Sequence, residues 1–180
     1  MCQAESLAIV PGTIPIASIV ADSSTATGLK WAAPSGGGKV LQVVYGSTST
    51  AVNVVGPTAT DSTLSATITP SAATSKVLIL TAQYIFQQRN TDQGLQVYLK
   101  RNGTTVFDPN NGAELLYIIG TSVNSLGMKT NAAITYLDSP NSTSALTYAT
   151  WFNGTYGSPA LANAQLNGTT STIILMEIGA

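Results

Sequence analysis

Ser171-Thr172-Ile173-Ile174-Leu175-Met176-Glu177-Ile178-Gly179-Ala180 is the stretch whose reading decides the fold. It is an apolar run of strand length, rich in β-branched residues, with polar turn chemistry just upstream. Side chains alternate across a strand, so Ile173, Leu175 and Glu177 face one way and Thr172, Ile174, Met176 and Ile178 the other. Both faces are largely apolar, which predicts a strand covered on both sides. One cover is the domain's own core. The other is a second sheet or a symmetry-related copy of the chain.

The same short-period signal recurs from Lys39 onward. Residues 39–45 and 50–55 read as strands. Leu64, Ala66 and Ile68 alternate with Ser65, Thr67 and Thr69, the mark of a half-buried strand. Pro70 to Ser75 is a turn. Residues 76–86 are the longest apolar strand and so the central one, with Tyr84 and Phe86 expected in the core. Residues 95–101 and 104–107 flank Asn102-Gly103, the strongest short-range hairpin signal. Strands at 132–137 and 145–152 and the terminal strand follow, with 153–168 expected as a loop; Glu114–Ile119 reads equally as strand or helical turn. About eight short strands without an amphipathic helix predict an all-β antiparallel sandwich or barrel spanning 39–180.

Residues 1–38 differ. Leu7, Ile9, Val10, Ile14, Ile16, Ile19 and Val20 fit neither a helical nor a strand period, and Pro11, Gly12 and Pro15 favour extended chain. We read this segment, with Trp31 before the hinge-like Ser35-Gly36-Gly37-Gly38, as an extended arm that anchors the domain to another protein. Ile9, Val10, Ile14, Ile16, Ile19 and Trp31 are its anchor residues.

Of 180 residues, 44% are hydrophobic but only 8% charged, and the net charge is -1, far below the roughly 25% charge of an ordinary soluble domain. A neutral, hydroxyl-rich surface suits packing against protein or sugar, and it carries no basic footprint for nucleic acid. Low charge also favours association. No segment reaches the ~20 apolar residues of a membrane helix, so no membrane insertion is expected. One cysteine, Cys2, excludes a disulfide framework. Residues 1–5 lack the basic and apolar regions of a leader, which predicts synthesis in a cytoplasm without standard export.

Histidine is absent, which removes the commonest general base and most zinc sites. The acids Asp92, Asp108, Glu114 and Asp138 are scattered singly through loops, not set as the pair a glycosidase needs. Asp108-Pro109-Asn110-Asn111-Gly112 lacks the ligand spacing of a calcium loop and reads as a turn. No catalytic residue, cofactor or metal is expected, and the chain is read as a non-enzyme. Aromatic side chains stack on sugar rings, so Trp151 and Tyr156, with Arg89 and Asp92 of the polar 87–93 loop, are the candidate contacts to a host glycan.

Gly28-Leu29-Lys30-Trp31 running into Gly38-Lys39-Val40-Leu41-Gln42-Val43-Val44, Ile68-Thr69-Pro70-Ser71 before Ser75-Lys76-Val77-Leu78, the run from Tyr136 to Tyr148, and the 171–178 strand occur in this order. Together they resemble the C-terminal modules of tailed-phage structural proteins, especially from phages of cyanobacteria and other aquatic bacteria. Those modules are similar to the trimeric jelly rolls of the tumour-necrosis-factor and complement-head type. The resemblance covers residues 28–180 and implies a homotrimer on the outer surface of a virion. It would be a capsid decoration or cement protein bound to the major capsid protein or another virion protein, or else the receptor-binding tip of a tail fibre or tailspike. In such a trimer the terminal strand lies near the threefold axis, which makes Ile174, Met176, Glu177 and Ile178 the candidate interface. Glu177, crowded there, would require a partner such as Lys39, Lys76 or Lys129.

Overall fold

Alternation of polar and apolar residues is written into almost every strand. In the computed structural model, which describes residues 18–21, 23–24, 26–32, 38–89, 92–118, 126–155 and 161–179, Ser62, Leu64, Ala66 and Ile68 are buried while Asp61, Thr63, Ser65 and Thr67 are exposed. The described strands are β1 (Ser18–Ala21), β2 (Leu29–Ala32), β3 (Val40–Thr48), β4 (Val52–Val55), β5 (Thr60–Ile68), β6 (Lys76–Arg89), β7 (Gln93–Arg101), β8 (Thr104–Phe107), β9 (Leu116–Ile118), β10 (Leu126–Asp138), β11 (Leu146–Thr155), β12 (Leu161–Ala164) and β13 (Ser171–Ile178). A single 3-10 turn, Leu166–Gly168, is the one helical element among the described residues.

The chain divides into two units, Met1–Gly37 and Gly38–Ala180. In the first, β1 and β2 pair antiparallel with Ile19 opposite Trp31. Two of the anchor residues, Ile19 and Trp31, therefore lie in a β-ribbon and not in an irregular arm.

The second unit is an antiparallel sandwich. Its front sheet runs β3-β13-β6-β12-β4, with β10 along the other side of β6; its back sheet runs β5-β11-β7-β8, with β9 also on β7. The chain crosses repeatedly between the sheets, as from β5 to β6 and from β10 to β11, which gives the interleaved order of a jelly roll. The all-β sandwich expected from the sequence is the observed fold. β6 is central, flanked by β13 and β10, and β10 pairs with it from Leu126↔Arg89 to Asp138↔Val77. Val77, Ile79, Ile85, Leu95, Val97, Leu99, Phe152, Ile173 and Leu175 fill the space between the sheets.

Three details differ from the sequence reading. There are more strands than the eight expected, because short pieces such as β4, β8, β9 and β12 add to the sheets. β12 lies within the segment read as a loop. Tyr84 and Phe86 share the outward face of β6 with Leu80 and Ala82, so they are half-buried on the outside of the front sheet and not in the core. The Asn102-Gly103 hairpin joins β7 to β8 as expected, both residues holding positive φ (48° and 84°), the requirement of a type I′ turn.

Candidate functional site

The outward face of the front sheet is the most unusual surface of the sandwich. On β13, Ile174, Met176 and Ile178 point outward and are half-buried. Register places Tyr45 opposite Ile174 and Val43 opposite Met176 on β3. Leu80 and Leu78 lie opposite the same two residues on β6, and Leu137 continues the row on β10. A bulge at the β13–β3 pairing lets Ile178 face Val40 and leaves Leu41 as the extra residue.

The outermost members are wet: Tyr45 is 62% exposed, Val43 58%, Val40 55% and Leu137 49%. Four strands ~4.8 Å apart and two to three side-chain rows ~6.8 Å apart give an apolar patch on the order of 400 Å² with side chains included. That is at the size where a patch signals an interaction site. Lys76, exposed and opposite Ile178, stands at its rim. Among the described residues β3 pairs on one side only, with β13, a further invitation to pairing.

Ile174, Met176 and Ile178 of the expected interface are thus brought together on one face. Glu177 is not with them. It points into the sandwich and is 1% exposed. The lysine partner expected for it is absent. Register sets it opposite Gln42 and Val77, while Lys76 lies opposite Ile178 on the other face. Its carboxylate is satisfied by neutral donors instead. The Ser71 hydroxyl and N–H donate to Oε1 at 2.6 and 2.7 Å, and Gln42 Nε2 donates to Oε2 at 2.7 Å. Gln42 Nε2 also donates to the Thr69 carbonyl at 2.8 Å. The Ser71 hydroxyl contributes most to holding the carboxyl down to about 2, against the opposing effect of desolvation, with Gln42 assisting. Glu177 therefore fastens the β5–β6 turn to β13.

Asp92, Asp108, Glu114 and Asp138 also have partners. Asp108 accepts from the Asn110 and Gly112 N–H groups of its own turn at 3.0 and 2.8 Å. Glu114 accepts from Thr155 Oγ1 at 2.9 Å, and Asp92 from Tyr117 OH at 3.3 Å. Asp138 accepts from Arg101 Nη1 at 2.5 Å and Tyr148 OH at 2.7 Å. That trio ties the end of β10 in the front sheet to β7 and β11 in the back sheet. Burial and the Asp138 carboxylate push the Tyr148 phenol up. Among the described residues no group of three or more acids and cysteines is placed to hold a metal ion.

One buried feature escaped the sequence reading. Ser62, Gln83, Thr150, Gln165 and Ser171 are all at 0% exposure. Ser62 Oγ and Thr150 Oγ1 donate to Gln83 Oε1 at 3.0 and 2.6 Å. Ser171 Oγ accepts from the Tyr84 N–H at 2.9 Å, from Gln165 Nε2 at 2.9 Å and from Gln83 Nε2 at 3.2 Å. An uncharged hydrogen-bond chain thus crosses the sandwich from β5 and β11 to β6 and β13. Strand parity is the signal that could have found it, since Ser62 shares its side with Leu64 and Ser171 with Ile173.

Of the glycan candidates, Trp151 lies on the outward face of the back sheet, with Lys100 Nζ 3.7 Å from its ring centroid. Asp92 lies just before β7, and Arg89 ends β6. Tyr156 lies outside the described residues, as do Ile9, Val10, Ile14 and Ile16 of the anchor reading. Among the described residues no helix is long and apolar enough to cross a membrane.

No protein-family model matches the chain, and no curated protein matches it. Solved structures similar to it include infectious bursal disease virus Gt strain, with 16% identity and a TM-score of 0.36 over 92% of this chain and 43% of the other. A VP2 subviral particle of the same virus gives 16% identity and a TM-score of 0.37, over 92% and 43%. Its T13 particle gives 18% identity and a TM-score of 0.34, over 92% and 40%. The chain spans less than half the length of each.

Proposed function

We propose that this chain is a non-enzymatic structural protein of a virus particle, a capsid decoration protein that acts as a homotrimer closed through the outward face of the front sheet. The observation that carries the reading is that face: Val40, Val43, Tyr45 and Leu137 stand exposed around half-buried Ile174, Met176, Ile178, Leu78 and Leu80. Such a surface in a chain of 8% charge is stable in water when a copy covers it. The phage resemblance over residues 28–180 supports a place on the outside of the virion, and segment 1–38 is its anchor to the major capsid protein. The structural pairing of Asp92, Asp108, Glu114 and Asp138 supports a role without catalysis.

Sedimentation of the full chain tests the oligomer: a species three times the 18.5 kDa chain is expected, and a monomer at micromolar concentration refutes it. Density on intact particles tests the place. Copies across the shell support decoration, whereas a few copies at the tail support the receptor-binding alternative.

A further inference from the structure

The two outward faces of the sandwich differ in chemistry. On the back sheet, Tyr98 of β7 stands opposite Trp151 of β11, and Gln96 stands opposite Asn153 one row along. Tyr98 OH donates to Gln96 Oε1. Asn153 Nδ2 donates to the same oxygen at 3.2 Å and to the Pro57 carbonyl at 3.1 Å. Asn153 is 4% exposed, yet its Oδ1 has no hydrogen-bond partner. A buried acceptor left empty carries a desolvation penalty that an added donor relieves.

We propose that this strip is a carbohydrate-binding site for a neutral hexopyranose chain. Cross-strand partners lie ~5 Å apart, and the next outward row ~6.8 Å along the strands. An aromatic pair and an amide pair at that separation match one sugar ring, which offers polarised C–H groups on its face and hydroxyls at its rim. The Lys100 ammonium over the indole, 3.7 Å from the centroid, shows that the ring face attracts positive charge. A sugar's C–H face would take the same place as the lysine swings away. Asp61 lies opposite Trp151 on β5, and Asp108 is close enough to act on the Tyr98 phenol, so the one cation, Lys100, is outweighed and the strip has no excess positive charge. That favours a neutral sugar over an acidic one. The site is on the opposite sheet from the proposed trimer face, so it stands or falls apart from that reading.

The full chain, with Trp31→Phe so that Trp151 is the one remaining tryptophan, is titrated with mannohexaose, cellohexaose and laminarihexaose at millimolar concentration. The readouts are indole fluorescence and the indole N–H resonance. A saturable shift with at least one of the three is expected. Tyr98→Ser should weaken it at least tenfold, and Lys100→Ala, which uncovers the ring, should preserve or strengthen it. Circular dichroism of each variant checks the fold. No saturable shift with any of the three sugars overturns the proposal. So does binding unchanged in Tyr98→Ser, or binding lost in a folded Lys100→Ala.

Discussion

Val43→Asp separates assembly from folding. Val43 is 58% exposed in the single chain, so a carboxylate there stays in water. The monomer's stability should change by about 1 kcal/mol or less, the span of strand propensity. Under a covering copy two effects add. The exposed part of the valine no longer contributes its burial, about 1 kcal/mol. The carboxylate loses water without a fixed counter-ion, since Lys76 stands only at the rim, and that costs about 3 kcal/mol or more. Together they amount to about 4 kcal/mol per copy, or roughly 10³ in the association constant for each interface. A cyclic trimer has three such interfaces, so the variant should be monomeric at micromolar concentration.

The assay is sedimentation velocity beside a thermal melt, with Thr67→Asp on the exposed row of the back sheet as the control of equal charge. A folded Val43→Asp that still sediments as a trimer refutes the proposed face. A variant that unfolds shows instead that Val43 belongs to the monomer core. Ile174→Asp, at a half-buried centre position, should lose both assembly and melting temperature.

Glu177→Gln tests the turn clamp through pH. A carboxyl held at about 2, against an ordinary 4.5, contributes stability that is fully present above pH 4.5 and is lost as pH falls towards 2. The full shift corresponds to about 3 kcal/mol at most. The gap between wild-type and variant unfolding curves should close across that window; parallel curves would contradict the clamp. Gln83→Ala removes one partner from each of three buried hydroxyls, Ser62, Thr150 and Ser171, and should cost about 3 kcal/mol in urea unfolding; a loss under 1 kcal/mol would show that their other bonds suffice. Thr63 holds a φ of 64°, which a β-branched side chain resists. Thr63→Asn should therefore stabilise by about 1 kcal/mol, and a lowered melting temperature would show that its bond to Thr48 Oγ1 outweighs the strain.

Period-2 alternation made β5, β6 and β13 legible, because a residue's face follows from counting along the strand. The same count, carried past the apolar residues, would have placed Ser62, Gln83 and Ser171 inside. They were missed because hydroxyls and amides look the same in a sequence whether they face water or one another. Tyr84 and Phe86 misled in the opposite direction: aromatic character suggested core, while parity with Leu80 and Ala82 put them outside. β12, Leu-Ala-Asn-Ala, has neither β-branched residues nor an alternating pattern, and joins the sheet because β4 and β6 supply partners on both sides. The partners of Glu177 were out of reach for a different reason. Ser71 and Gln42 lie 106 and 135 residues away, and only the jelly-roll winding brings them together.

The close approach of the two ends of the sandwich has a practical consequence. The Gly179 N–H donates to the Lys39 carbonyl at 2.8 Å, and a side chain at Gly38 would run into the Gly179 carbonyl. A link of a few glycines and serines could therefore join them, with new termini opened in the exposed Thr143–Ala145 segment. Such a circular permutant should keep every strand pairing. It would also move the point of attachment for any fused cargo from the end where β3 begins and β13 finishes to the loop between β10 and β11. The position of a displayed peptide on the sandwich would then be a matter of choice.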